Sequence, residues 1–263
     1  MATNNVLMER QTPFIIRFAL WIAIWLHVLS GVAILLMVFP FASTRTKHFH
    51  IQKWSSHLMK IFGIELVVKN QEILPNHSYL LSSNHISWMD IHAINAFKPI
   101  RFVAKSEVEK WPIFGWMAKQ LNTVFIKRDS SRHAHVVVGE MSDVLKSESV
   151  CIFPEGTSTN GETVRPFKPN LFESAVISGV PVYTLAIRYV AKTTGYRSDV
   201  PAFVGDMGLL ESMANILKNR SLIAELTFFP PSSPVLEELP DRKYLAQYSH
   251  DEISNYLNLS NSA

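Results

Sequence analysis

Hydrophobic positions change their rhythm twice along this chain. From Phe18 to Phe39 they are nearly continuous, with no formal charge and only His27 and Ser30 as polar interruptions, the latter beside Gly31. As a helix this run reaches roughly 33 Å, enough for a hydrocarbon core of about 30 Å. From Lys47 to Phe62 the rhythm turns helical: Ile51, Trp54, Leu58, Ile61 and Phe62 share one face, while Lys47, Lys53 and Lys60 are peripheral. That pattern predicts an amphipathic helix lying at a membrane surface. Beyond residue 62 short apolar runs alternate with 3.6-periodic segments. Strands are predicted at 65–69, 79–83, 101–104, 124–127, 150–153, 180–189, 201–204 and 222–229. Helices are predicted at 88–97, 112–121, 130–146, 171–178, 209–217 and 241–257. Leu74-Pro75-Asn76 marks the first turn between strands, and Pro112 suits a first helical turn. The alternation predicts an α/β domain over 63–263, with a mixed, largely parallel sheet flanked by helices. It is preceded by an N-terminal membrane-associated helical region over 1–62.

Composition narrows the class. The chain has 263 residues, 48% hydrophobic and 18% charged, with a net charge of +3. This mild basic excess suits an anionic membrane surface or a phosphate-bearing substrate, and lacks the dense basic patch that duplex DNA draws. The apolar N-terminal run is too long for a signal peptide and no clean small-x-small site follows it. Basic residues lie on both sides, Arg10 and Arg17 before and Arg45, Lys47 and Lys53 after, and the small bias favours the cytoplasm for the C-terminal flank. Whether the run spans the bilayer or turns back at Gly31 as a hairpin stays open. The single cysteine, Cys151, excludes an intrachain disulfide and lies in the apolar run Val150–Phe153, as a buried strand residue does. His92, His133 and His135 lack metal-ligand spacing, so no metal is expected.

The stretch Ser82–His92 carries the first chemistry. His85 and Asp90 have the types of a general base and its orienting carboxylate. Residues five apart on one helix lie roughly 140° apart, so the two meet only with His85 in the preceding turn and Asp90 in the first helical turn. Ser87-x-x-Asp90 resembles a capping box that allows this. Alone, the pair reads equally well as a helix cap beside a loop histidine. Three later loops add to it. Phe125-Ile126-Lys127-Arg128 ends a strand with two cations, and Arg128 has the fork that binds phosphate bidentately. Phe153-Pro154-Glu155-Gly156-Thr157-Ser158 follows a buried strand, with Gly156 permitting close backbone approach. Lys105, Arg165 and Lys168 are further cations near strand ends.

His85-Ile86-Ser87-Trp88-Met89-Asp90, Phe125-Ile126-Lys127-Arg128 and Phe153-Pro154-Glu155-Gly156-Thr157, in that order, resemble the motifs of the glycerolipid acyltransferases, which include bacterial 1-acylglycerol-3-phosphate acyltransferases. The resemblance covers roughly 65–189, and a membrane-seeking N-terminus is also typical of that family. It implies His85 as catalytic base and Asp90 as its carboxylate. It implies Arg128 as a ligand of the acceptor's phosphate, and Glu155, Gly156 and Thr157 as the acceptor-binding block. Val180-Pro181-Val182 matches the start of a fourth motif. Lys105 and Arg165 join the expected substrate-binding set. Three departures stand out: Ser158 where arginine is common, Asn122 where glycine is, and Thr184 where proline is. With Ser158 the missing charge falls to Arg165 or Lys168. Glu155-Gly156-Thr157-Ser158-x-x-Gly161 with Gly205-Asp206-Met207 is also similar to lyso-ornithine lipid acyltransferases, which makes that lipid a rival acceptor.

The expected activity is acyl transfer from an acyl thioester, acyl-CoA or acyl carrier protein, to the free hydroxyl of 1-acyl-sn-glycerol-3-phosphate. No other cofactor, no metal and no nucleic acid is expected. The expected location is the bacterial inner membrane, with the catalytic domain facing the cytoplasm. A serine hydrolase would want Gly-x-Ser-x-Gly, which is absent. A thioesterase using His85 and Asp90 on water remains a rival, as does a lipid-binding module without turnover, which has no use for the His85/Asp90 pair.

Overall fold

The computed structural model describes residues 11–127, 131–231 and 240–261. The apolar run forms α1 (Phe14–Met37), joined through a short 3-10 turn, Phe39–Phe41, to α2 (Thr44–Phe62). The ends of α2 follow from local chemistry. Ser43 Oγ accepts from Thr46 N (3.3 Å), and Gly63 closes the helix at φ +71°, a conformation open to glycine.

α1 does not project from the domain. Ile24, Val28, Gly31 and Leu35 recur at helical spacing and are buried, while Phe14, Ile15, Phe18, Leu26, Leu29 and Met37 face outward. At its start Thr12 N donates to Lys218 O (2.9 Å); at its end Phe39 is buried. Gly31 marks where α1 crosses α2, since a Cβ there would come within 2.7 Å of Trp54 Nε1. The crossing is fastened on both sides: Trp54 Nε1 donates to His27 O and His27 Nε2 to Trp54 O, each at 3.0 Å.

Seven strands follow: β1 (Ile64–Lys69), β2 (Leu80–Ser83), β3 (Arg101–Lys105), β4 (Val124–Ile126), β5 (Val150–Ile152), β6 (Val182–Ala191) and β7 (Leu222–Phe229). They form one sheet in the order β1-β7-β6-β2-β5-β3-β4. All pairs are parallel except β6 with β7. Helices α3 (Met89–Phe97), α4 (Phe114–Gln120), α5 (Ser131–Leu145), α6 (Glu173–Ser178), α7 (Leu209–Lys218) and α8 (Arg242–Asn261) flank it. This is the mixed, largely parallel sheet that the alternation predicts. Central β2 is buried from Leu80 to Ser83, which explains its unbroken rather than alternating pattern. One apolar cluster joins Ile24, Leu58 and Ile94 to Leu226, so the N-terminal helices share a core with the sheet; a second joins Leu80, Met141 and Phe172 to Leu257.

The segment 201–204 is not a strand. Pro201 has no N–H for a ladder, Ala202 N turns back to Asp199 O (2.9 Å), and Phe203 N donates to Ile86 O (2.9 Å). The helix expected from Pro112 begins at Phe114, because Ile113 takes φ +62° in a tight turn after the 3-10 segment Val108–Lys110.

Gly31→Leu should force α1 off α2 and cost about 1–3 kcal/mol by overpacking. Thermal unfolding of the detergent-solubilised protein reads this directly, and an unchanged midpoint would mean that the two helices do not cross at Trp54.

Candidate active site

The parallel strands β2, β5, β3 and β4 point their C-terminal ends to one edge, where open α/β sheets gather their chemistry. His85 lies in the loop after β2 and Asp90 in the first turn of α3, the placement their spacing requires. His85 Nδ1 is 2.8 Å from Asp90 Oδ2. The same oxygen accepts from Ile86 N (2.7 Å) and Ser87 N (2.9 Å), so the carboxylate reaches back over its helix as in a capping box. Asp90 Oδ1 accepts from the Tyr189 hydroxyl (2.7 Å), which β6 delivers from the sheet. Asp90 is fully buried, so each bond replaces water that a carboxylate otherwise needs. Burial and the Asp90 charge push the Tyr189 phenol well above its usual range, which keeps it a donor.

This arrangement fixes the histidine. With Nδ1–H committed to Asp90, Nε2 is left as the basic nitrogen. The ring stacks on Phe153 (centroids 4.1 Å apart, 17° between planes) and keeps 21% of its surface accessible. The loop around it is pinned from three directions. Asn84 extends the sheet by exchanging two bonds with Ile187 (2.9 and 2.8 Å). Thr159 N donates to His85 O (2.8 Å). Glu155, 4% exposed, accepts His85 N on Oε1 (2.7 Å) and Arg165 N on Oε2 (2.9 Å). Burial raises the Glu155 carboxyl against the opposing pull of those two N–H groups. Gly161 lies at φ +75°, and a Cβ there would meet Ile86 Cδ1 at 2.6 Å.

The structure brings His85, Asp90 and Glu155 into direct contact, but it gives Glu155 a different duty from the one the motif implied. Both carboxylate oxygens tie backbone together, so Glu155 shapes the loop instead of offering an open acceptor to substrate. Gly156, at φ +77°, turns the chain behind Phe153. Thr157 is half-buried beside it, and Ser158 Oγ is turned to Phe203 O. Lys105 ends β3 opposite Ile126 of β4, at the same sheet edge. Arg165 is exposed, with its N–H on Glu155. Arg128 lies outside the described residues. Cys151 is fully buried in β5, and burial, with Asp90 second, pushes its thiol far up, as suits a core residue.

Tyr189, Asn84 and Phe153 carry no signal in residue spacing. Tyr189 lies on β6, 99 positions from Asp90, so no local pattern connects them. Equally unannounced is an apolar cavity of ≈ 210 Å³ between α1, α2, α3, β3 and α4. Its wall includes Gly31, Trp54, His92, Phe102, Ala104 and Met117. Phe102 stacks on Phe153 (6.1 Å), which stacks on His85, so two ring contacts connect the cavity's wall to His85. Burial, aided by His27, lowers His92 to about 4, which leaves a neutral ring in that wall.

Comparison with known proteins gives this architecture a class. Residues 65–188 match the acyltransferase family model. The lyso-ornithine lipid O-acyltransferase of Pseudomonas aeruginosa is 30% identical over 76% of this chain and 75% of its own length. The 1-acyl-sn-glycerol-3-phosphate acyltransferase of Neisseria gonorrhoeae is 35% identical over 59% of this chain and 61% of its own. The crystal structure of the 1-acyl-sn-glycerophosphate acyltransferase of Thermotoga maritima shares the fold with a TM-score of 0.66 at 20% identity, over 92% of this chain and 95% of that one. The protein is thus an α/β acyltransferase. It belongs to the glycerolipid acyltransferase family.

Tyr189→Phe removes one donor from a buried carboxylate and should cost about 1.5–3 kcal/mol. Urea unfolding of the two proteins checks this; equal midpoints and slopes would show that Asp90 does not depend on the β6 hydroxyl.

Proposed function

We propose that the protein transfers a fatty acyl group from an acyl thioester to the free hydroxyl of 1-acyl-sn-glycerol-3-phosphate, with His85 as general base. The observation that carries this reading is the His85–Asp90 pair held by Nδ1, its Nε2 left as the basic nitrogen and its ring linked through Phe153 and Phe102 to the wall of an apolar cavity. The acceptor hydroxyl gives its proton to Nε2 as its oxygen attacks the thioester carbonyl carbon. The tetrahedral intermediate collapses, the carbon–sulfur bond breaks, and the imidazolium returns the proton to the leaving thiolate. Asp90 holds the tautomer and stabilises the imidazolium, as in a serine-protease triad but with the substrate's own hydroxyl as nucleophile. Two protein nucleophiles support direct transfer without an acyl-enzyme: Ser87, two residues from His85, is fully buried, its Oγ accepting Met89 N (3.2 Å), and the single cysteine, Cys151, is sealed in β5.

The cavity is the proposed seat of the donor's acyl chain, which coenzyme A or acyl carrier protein would present. The outward apolar face of α1 with the cations of α2 supports docking on one leaflet, because α1 lies along the domain for its whole length. The proposed location is the bacterial inner membrane, with the domain on its cytoplasmic side. Lyso-ornithine lipid is the second reading for the acceptor. Ser158, turned away onto Phe203 O where the family often carries arginine, favours it.

His85→Ala should lower kcat for acyl transfer by about 10³-fold or more while the unfolding midpoint holds. A labelled acyl thioester with each lysolipid measures it, and near-normal turnover would refute the general-base assignment. Thioester loss without a lipid product would instead mark a hydrolase, and stoichiometric binding without turnover a lipid-binding module. Ala104→Phe should shift donor preference toward shorter chains by filling the cavity; an unaltered chain-length profile would move the acyl chain elsewhere.

A further inference from the structure

Phe153 also lines a second, smaller cavity of ≈ 100 Å³. Ile126, Gly156, Lys168 and Asn170 line it with Phe153. Its position relative to the chemistry is set by one ring: the Phe153 that walls it stacks on His85 at 4.1 Å. A group held here therefore lies one aromatic ring away from His85, and the cavity shares no lining residue with the apolar one.

The polar groups around it are unequal. Ser158 is engaged with Phe203 O, and Glu155 with two backbone N–H groups. Arg165 is tied by its backbone to Glu155, and its side chain does not line this cavity. Lys168 does, and its chain is anchored there because Lys168 N donates to Pro154 O (3.0 Å). This bond fastens the lysine to the same turn that carries Gly156. The Lys168 and Asn170 side chains are exposed, and no described residue bonds either of them. Gly156, buried and at φ +77°, presents backbone without a Cβ where a ligand would approach. An ammonium and an amide over a bare backbone turn suit an anionic oxygen group, with the lysine supplying charge and Asn170 a directed N–H.

We infer that Lys168 and Asn170 form the subsite for the acceptor's anionic head group, in place of the cation that Ser158 lacks. This rests on the acyl-transfer reading and adds to it the residues that choose the acceptor. Anionic oxygens could come from a phosphate monoester or from an amino-acid carboxylate, and the two lipids differ in this respect. The short path through Phe153 to His85 favours the phosphate of a lysophosphatidic acid, whose charge is close to the reacting hydroxyl.

The test is the acceptor KM of the full-length, detergent-solubilised enzyme for lysophosphatidic acid and for lyso-ornithine lipid, each at low and high salt. Wild type, Lys168→Met, Lys168→Arg and Asn170→Ala are compared. Losing a charge-assisted bond should raise the KM for the anionic acceptor by about 10- to 100-fold in Lys168→Met and flatten its salt dependence. Lys168→Arg should restore much of both, and Asn170→Ala should raise KM by a smaller factor. The donor KM should stay put, which separates a binding role from a merely structural one. A wild-type KM in Lys168→Met, or equal losses in donor and acceptor terms, would overturn the assignment. A large effect confined to lyso-ornithine lipid would keep the subsite and replace phosphate by carboxylate. Failure of the wild type itself to acylate either lipid would instead bring down the acyl-transfer reading, and this subsite with it.

Discussion

The buried carboxylate of Asp90 is the constraint on which the rest of the site depends. Burying an ion without partners costs several kcal/mol, so the fold must surround it with donors. It does so with two backbone N–H groups from the loop, one imidazole and one phenol. Each donor comes from a different commitment of the chain. The loop N–H groups demand a tight turn before α3, the imidazole demands His85 on that turn, and the phenol demands that β6 lie beside β2. Any shift of register between β2 and β6 would withdraw Tyr189 and leave half the carboxylate unsatisfied. The geometry of the His85–Asp90 pair and the sheet topology are therefore one arrangement seen at two scales.

Glu155 extends the same logic. It is a second buried carboxylate, and its two oxygens tie the His85 loop to the loop after β5. Phe153, two residues earlier, stacks on the His85 ring and lines the smaller of two cavities of opposite character, while Phe102, stacked on Phe153, lines the larger. One is almost wholly apolar and bounded by α1 and α2; the other is small and overlooked by Lys168. An acyl chain and a charged head group differ in just this way. A bilayer surface presents its lipids with the same division, apolar toward the hydrocarbon and charged toward water. Helix α1, which helps to wall the apolar cavity, also carries an outward apolar face, so on the proposed reading contact with lipid and the enclosure of a chain share one element.

Much of the site is legible in the order of residues along the chain, for a physical reason. His85 and Asp90 are close in sequence, and the five-residue offset admits one arrangement only, a loop histidine before a first-turn carboxylate. The turn at Gly156 and the buried strand leading into it are equally local. What the residue order does not reveal is whatever depends on distant segments. The motif places Glu155 in an acceptor-binding block but does not reveal that its carboxylate is buried; its two backbone partners make that inward position tolerable. The strand expected at 201–204 has the right composition, but its N–H groups are drawn to loop carbonyls, among them Ile86 O, instead of a neighbouring strand.

By itself the sequence determined the α/β alternation, the long apolar run near the N-terminus, the pairing of His85 with Asp90, and the family. Each follows from periodicity or from residues a few positions apart, where chain geometry leaves little choice. The tertiary structure alone decided that Tyr189 completes the shell of Asp90, that α1 lies along the domain, and that Phe102 and Phe153 stack between the apolar cavity and His85. Those facts rest on contacts between segments many tens of residues apart. Local propensity carries no information about such contacts, and the packing of one core settles them together.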